Sequence, residues 1–237
     1  MAISKQKIEY TYEDTLLEGI YVQAEGPAKG TVLVTHAWAG RTEFVEERAV
    51  ELAELGYNAF ALDMYGKGVR GSNPQENEAL MMPLIENRTR LQGLQLAALD
   101  LVKTLPGVDP QKIAAMGYCF GGLCSLDLAR IGADVLGVVS FHGLFFPPGN
   151  TDGNTTNVKI LVLHGYADPM ATPEQMTDLA SELTAMNADW QIHAYGNTYH
   201  AFTLPEANDQ DMGTVYNEKA AKRSWIAMLN FFEEIFG

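Results

Sequence analysis

The feature that most constrains this chain is a regular alternation of apolar runs of strand length with stretches of helical periodicity, sustained from residue 31 to the C-terminus. Residues 31–35 (TVLVT) form a short run rich in β-branched residues, the signature of a buried strand. A helix is expected next over 42–55, with Val45, Ala49, Leu52 and Ala53 on one face and Gly56 as its stop. A strand over 59–62, a glycine-rich loop over 66–71 and a long helix over 84–104, entered after Pro83, follow. Further strands are expected at 113–116, 135–141, 158–163 and 190–195, with a proline- and glycine-containing loop over 147–157. They are interleaved with helices that begin near Phe120 and cover 173–186 and 215–236. The last helix carries an apolar face of Trp225, Met228, Leu229, Phe232 and Phe236. Only 7–12 and 16–24 depart from the scheme, alternating with period two like antiparallel strands that have one face in water. Such an order requires an α/β fold: a mostly parallel, doubly wound sheet with helices on both faces and antiparallel N-terminal strands. No repeat or low-complexity linker interrupts it, so residues 1–237 are read as a single domain. In sheets of this kind ligands bind at the carboxyl ends of the strands.

Charge narrows the function. Thirty acidic residues against 16 Lys and Arg leave a formal net charge of -14. That balance repels phosphate backbones and anionic lipid unless a local basic patch offsets it. The nearest basic cluster, Lys219, Lys222 and Arg223, shares its helix with Glu218, Glu233 and Glu234, so neither nucleic acid nor membrane is expected as a partner. The first ten residues lack a signal-peptide core and later apolar runs are too short to span a bilayer, which makes the cytoplasm the expected compartment. Cys119 and Cys124 lie five apart on one helical pattern, out of disulfide reach and without zinc-site spacing. Both are expected as free thiols.

The chemistry concentrates at one strand end. Residues 116–122 (MGYCFGG) leave a strand, place a thiol at the apex of a glycine-flanked turn and open a helix. This is the Gly-x-nucleophile-x-Gly pattern of the α/β-hydrolase fold, with Cys119 as nucleophile; its bland alternative is a small residue buried in a tight turn. In that fold the acid and the histidine follow the nucleophile along the chain, each just past a strand. Asp168 in the loop after 158–163 fits the acid, and His200 in the loop after 190–195 fits the base. His142, which also ends a strand, is the alternative base or a lining residue. His36 and His164 read as strand-end caps, and His193 as a strand-face residue. The oxyanion donors of the fold are the backbone N–H after the nucleophile, Phe120, and one from the loop after the 31–35 strand, for which Trp38 is chosen.

These residues carry a resemblance. The GYCFGG elbow, residues 62–65 (LDMY), the acid loop 165–169 and the histidine loop 199–202 (YHAF) are similar to those of the dienelactone hydrolase family. The resemblance covers essentially the whole chain from residue 31. It implies the same Cys119, Asp168 and His200 triad, a compact domain, no metal and no organic cofactor. Ala37 stands where family members active on dienelactones carry a thiol-holding glutamate, and Leu204 where they carry a carboxylate-binding arginine.

The sequence thus reads as a cysteine-dependent hydrolase of small esters or lactones acting through an acyl-enzyme, as a monomer or homodimer. Tyr65, Tyr118, Tyr166, Tyr199, Phe202 and His142 are the expected pocket residues. A non-catalytic ligand-binding protein or a thiol-redox protein on the same fold is the alternative.

Overall fold

The structure, a computed structural model, describes residues 3–237. The chain divides into two compact units, one ending at Met116 but including Asp134–Leu136, the other made of Gly117–Ala133 and Gly137–Gly237.

The first unit opens with strands β1 (Ser4–Tyr12) and β2 (Thr15–Gln23), paired antiparallel from Ser4–Gln23 to Tyr12–Thr15. β1 is largely exposed, as its alternation suggests, but β2 is buried along almost its whole length. It is an interior strand: β4 (Asn58–Ala61) pairs with its far side, so Leu17, Ile20, Tyr21 and Val22 are all enclosed. β3 (Thr31–Thr35) is buried throughout and lies parallel to β4. Helix α1 (Glu43–Glu54) crosses between them and buries the four residues of its expected face. β5 (Ile113–Tyr118) lies beside β3, giving the order β1-β2-β4-β3-β5.

One helix was expected over 84–104, and two are found, α2 (Pro74–Glu86) and α3 (Arg88–Lys103). Pro74, rather than Pro83, occupies the first turn, after an Asn73 side chain that accepts from the Glu76 N–H. Pro83 is carried inside α2. Asn87 leaves the helical conformation (φ -116°, ψ 77°) and caps α3 by accepting from the Arg90 N–H at 3.1 Å.

In the second unit α4 (Phe120–Arg130) precedes the parallel strands β6 (Gly137–Phe141), β7 (Lys159–Gly165) and β8 (Trp190–Tyr195). α5 (Pro173–Ala185) connects β7 to β8 and begins with a capping box between Thr172 and Gln175. A short antiparallel pair, β9 (Asn208–Asp209) and β10 (Thr214–Val215), precedes α6 (Glu218–Phe236). α6 buries Met228, Phe232 and Phe236 as expected, together with Phe231.

Arg130 at the end of α4 is wholly buried. It donates to both carboxylate oxygens of Glu182 on α5 (2.7 and 2.8 Å), to Asp127 (3.3 Å) and to the carbonyls of Phe145 and Phe146 (3.1 and 3.2 Å). One guanidinium therefore fastens α4, α5 and the loop after β6. Removing one member of a buried charge cluster leaves the others uncompensated, so Arg130→Ala should cost about 3–5 kcal/mol. Urea denaturation checks this; a midpoint unchanged from the parent would show that water replaces the guanidinium.

Candidate active site

The site is assembled from three loops of the second unit, and backbone geometry explains why they converge. Cys119 sits between β5 and α4 at φ 55°, ψ -115°, a conformation rare for a side-chain-bearing residue. The strain is held by its N–H donating to Phe141 O (3.0 Å) and its carbonyl accepting from Gly122 and Leu123 (2.9 and 3.2 Å). A Cβ on Gly117 would come within 2.1 Å of the Gly121 carbonyl oxygen, so the turn closes only with glycine there. Phe120 is the first residue of α4, where helical geometry turns N–H groups toward the helix start and the dipole favours negative charge.

The acid and histidine loops are tied to each other. A Cβ on Gly165 would lie 2.5 Å from Thr198 O, and this close approach lets Ala167 N–H donate to the same carbonyl (2.9 Å). Tyr166 N–H donates to Tyr195 O (2.9 Å). Asp168 is buried; one carboxylate oxygen accepts from Met170 N–H (2.8 Å) and the other from His200 Nδ1 (2.7 Å). His200 is held from both sides, its N–H donating to Gly213 O and its carbonyl accepting from Val215 N–H, both at 3.0 Å. This makes an isolated bridge to Thr214.

The His200 ring is buried, and its side-chain partner besides Asp168 is Cys119. Burial alone would lower the pKa of this ring; interaction with Cys119 first, and with Asp168 beside it, outweighs burial and raises it from 6.5 to about 10. Cys119 is half-buried, whereas Cys124 is buried in α4. His142 is buried beside His200, its pKa pushed well below the ordinary value by burial and then by the His200 charge. Among the described residues no group of three or more His, Cys, Asp and Glu could hold a metal ion, and no helix is long and apolar enough to cross a membrane.

Other expected residues are placed as follows. Tyr118 is buried and stacks on Phe141 (4.8 Å, 26°). Phe202 is buried against His142 and Tyr195. Tyr166 and Tyr199 are exposed. In the first unit the Tyr65 hydroxyl donates to Trp38 O (3.0 Å), and Tyr65 packs against His36 (4.8 Å). His36 is a strand-end cap: its Nδ1 lies 2.6 Å from Ala37 O and its Nε2 accepts from Met64 N–H. Sequence reading missed Thr203, whose hydroxyl lies 2.8 Å from His142 Nε2, and the 213–215 segment that holds His200. No motif marks either.

The model of the dienelactone hydrolase family matches residues 17–236. A dienelactone hydrolase-like promiscuous phosphotriesterase from metagenomic libraries is 34% identical, with all of both chains covered and a TM-score of 0.93. The Caenorhabditis elegans protein K02A2.1 is 41% identical over 59% of this chain and 90% of its own. A Yersinia pestis protein provisionally named carboxymethylenebutenolidase is 26% identical over 90% of this chain and 80% of its own. With an α/β-hydrolase architecture and a family match along nearly its whole length, the chain belongs to the dienelactone hydrolase family and is a hydrolase of esters or lactones.

Proposed function

We propose that the protein hydrolyses small neutral esters and lactones through an acyl-enzyme on Cys119, with His200 as base and acid and Asp168 as its orienting carboxylate. The observation that carries this reading is the buried Asp168–His200 hydrogen bond at 2.7 Å, on a ring whose pKa is raised to about 10 by Cys119 and Asp168. The thiolate attacks the carbonyl carbon, and an N–H at the start of α4, that of Phe120, takes the developing oxyanion. Imidazolium His200 protonates the leaving alkoxide. Neutral His200 then draws a proton from water, whose oxygen attacks the thioester, and the thiolate leaves as the free acid forms. Tyr118, Tyr166, Tyr199 and Phe202 supply apolar surface around this chemistry, and no cofactor takes part.

Preference for neutral substrates follows from the charges. Leu204 occupies the place of the carboxylate-binding arginine. Arg90 is held by Glu13 and Thr15, Arg70 pairs with Glu46, and Arg88 is buried. An unpaired carboxylate entering a buried site costs several kcal/mol, a cost a planar Arg pair would largely offset. Neutral aryl and short-chain alkyl esters are therefore expected to show higher kcat/KM than a carboxylate-bearing dienelactone at moderate salt, with Leu204→Arg narrowing the gap. Equal turnover of the carboxylate substrate by the unmodified protein would overturn this preference.

A second reading has its own support. The 34% identical phosphotriesterase spans the whole chain, and a thiolate attacks phosphorus in a neutral triester as it attacks an ester carbonyl. Aryl phosphotriester turnover that disappears on alkylation of Cys119 would establish it; slow turnover that survives alkylation would reject it.

A further inference from the structure

We propose that His142 is a positioning residue: it is the strand-borne ring on which the loop carrying His200 is docked. The proposal rests on His200 being the base.

His142 directly follows β6, and its own backbone is fixed, with its N–H donating to Leu163 O at 2.8 Å. The preceding carbonyl, of Phe141, accepts the Cys119 N–H. The residue takes φ 37°, a conformation that costs energy for any side chain but glycine and persists only where surroundings impose it. What the unusual turn achieves is visible in the ring's neighbours. Three of four consecutive residues of the histidine loop meet this one imidazole: His200 edge-on at 5.1 Å and 64°, Phe202 edge-on at 5.1 Å and 80°, and the Thr203 hydroxyl 2.8 Å from Nε2. The loop reaches round the ring because Ala201 also adopts a positive φ, 54°. From the nucleophile's side Tyr118 lies 5.9 Å away, so a single side chain is packed between the residue before Cys119 and the base itself.

The chemistry suits a brace and not a second base. His142 has its pKa held well below the ordinary value, first by burial, then by the His200 charge and also by His164. It stays neutral whether or not His200 carries its proton, so the contact persists through the reaction while the Thr203 hydroxyl can donate or accept to match the tautomer. The residues facing the ring are therefore divided by role. His200 changes charge, and His142, Phe202 and Thr203 keep it aimed between Asp168 and Cys119. A catalytic group displaced by a fraction of an ångström loses rate without losing substrate affinity.

The test uses the full chain with a neutral aryl ester. His142→Phe keeps the ring and removes the bond to Thr203, Thr203→Val removes the same bond with little change of shape, and His142→Gln retains a polar group. His142→Phe and Thr203→Val are each expected to lower kcat about tenfold with KM within about twofold, as loss of one buried hydrogen bond would. The double variant should lose no more than the worse single one, because both delete one interaction. His142→Gln should recover part of the rate. The His200 titration followed by NMR should move below its parent midpoint in His142→Phe and in Thr203→Val. A rise in KM at constant kcat would overturn the proposal in favour of a substrate contact. Additive losses with an unmoved His200 titration would overturn it in favour of packing alone. Should His142→Phe fail to fold, the rate and titration of Thr203→Val decide. Activity that survives alkylation of Cys119 in the parent would instead reject the underlying mechanism, a result the His142 variants do not produce.

Discussion

Replacing Cys119 with alanine is expected to lower kcat for a neutral aryl ester by about 10⁴-fold or more, leaving substrate binding nearly intact. The size of the loss follows from the site. In the proposed mechanism Cys119 forms the covalent bond, and it is also the largest influence raising the His200 pKa. Alanine removes both, so the neighbouring imidazole reverts toward a neutral base with nothing to activate but water. Cys124 cannot substitute, because it is buried within α4. One equivalent of iodoacetamide should accordingly inactivate the enzyme with the label on Cys119. Label on Cys124 alone, with activity lost, would refute the assignment. A ligand-binding or redox protein would differ from the parent enzyme at the outset, showing no turnover for the alanine substitution to abolish.

Asp168→Asn is expected to cost about 10⁴-fold in kcat, because the amide presents the wrong hydrogen-bond polarity to His200 Nδ1 and releases the tautomer that points Nε2 at the thiol. The same change removes a charge that raises the His200 pKa, so the midpoint should fall from about 10. A histidine that titrates near 6.5 in the unfolded chain and near 10 when folded binds its proton more tightly in the native state. Its stabilisation is fully present below pH 6.5 and is lost as pH rises through 10. In the parent, kcat/KM for alkyl esters should fall over that upper limb, where the imidazolium no longer supplies the leaving-group proton. In Asp168→Asn the stabilisation and the limb should both move to lower pH. An unchanged His200 titration would mean that the carboxylate does not act on the ring.

The strands and most helices could be read from the sequence because their cause is local. The 31–35 run and the face of Val45, Ala49, Leu52 and Ala53 are periodicities that burial enforces. The turn at Cys119 is equally visible, since Gly117 stands where a Cβ cannot fit. Asp168 and His200 were found by chain order rather than by local pattern, and the structure brings them together across 32 residues. What escaped reading depends on distant partners or single dihedrals. Asn87 breaks a continuous helical pattern by its own capping bond, and the helix starts at Pro74, not after Pro83. β2 alternates like an outer strand but is enclosed because β4 pairs with its far side. Arg130 and Glu182 are 52 residues apart, and nothing in either segment names the other. The clasp of Thr203 on His142 spans 61 residues and requires the left-handed turn at Ala201, which alanine does not advertise.

The proposed mechanism requires a covalent intermediate on one sulfur. Rapid quenching of the enzyme with p-nitrophenyl acetate in the pre-steady state, followed by intact mass and peptide mapping, tests it most directly. One acetyl group per chain is expected, on the peptide containing Cys119, as a hydroxylamine-labile thioester that decays at the rate of turnover. Acetyl on another residue, or full turnover with no adduct on Cys119, would contradict it.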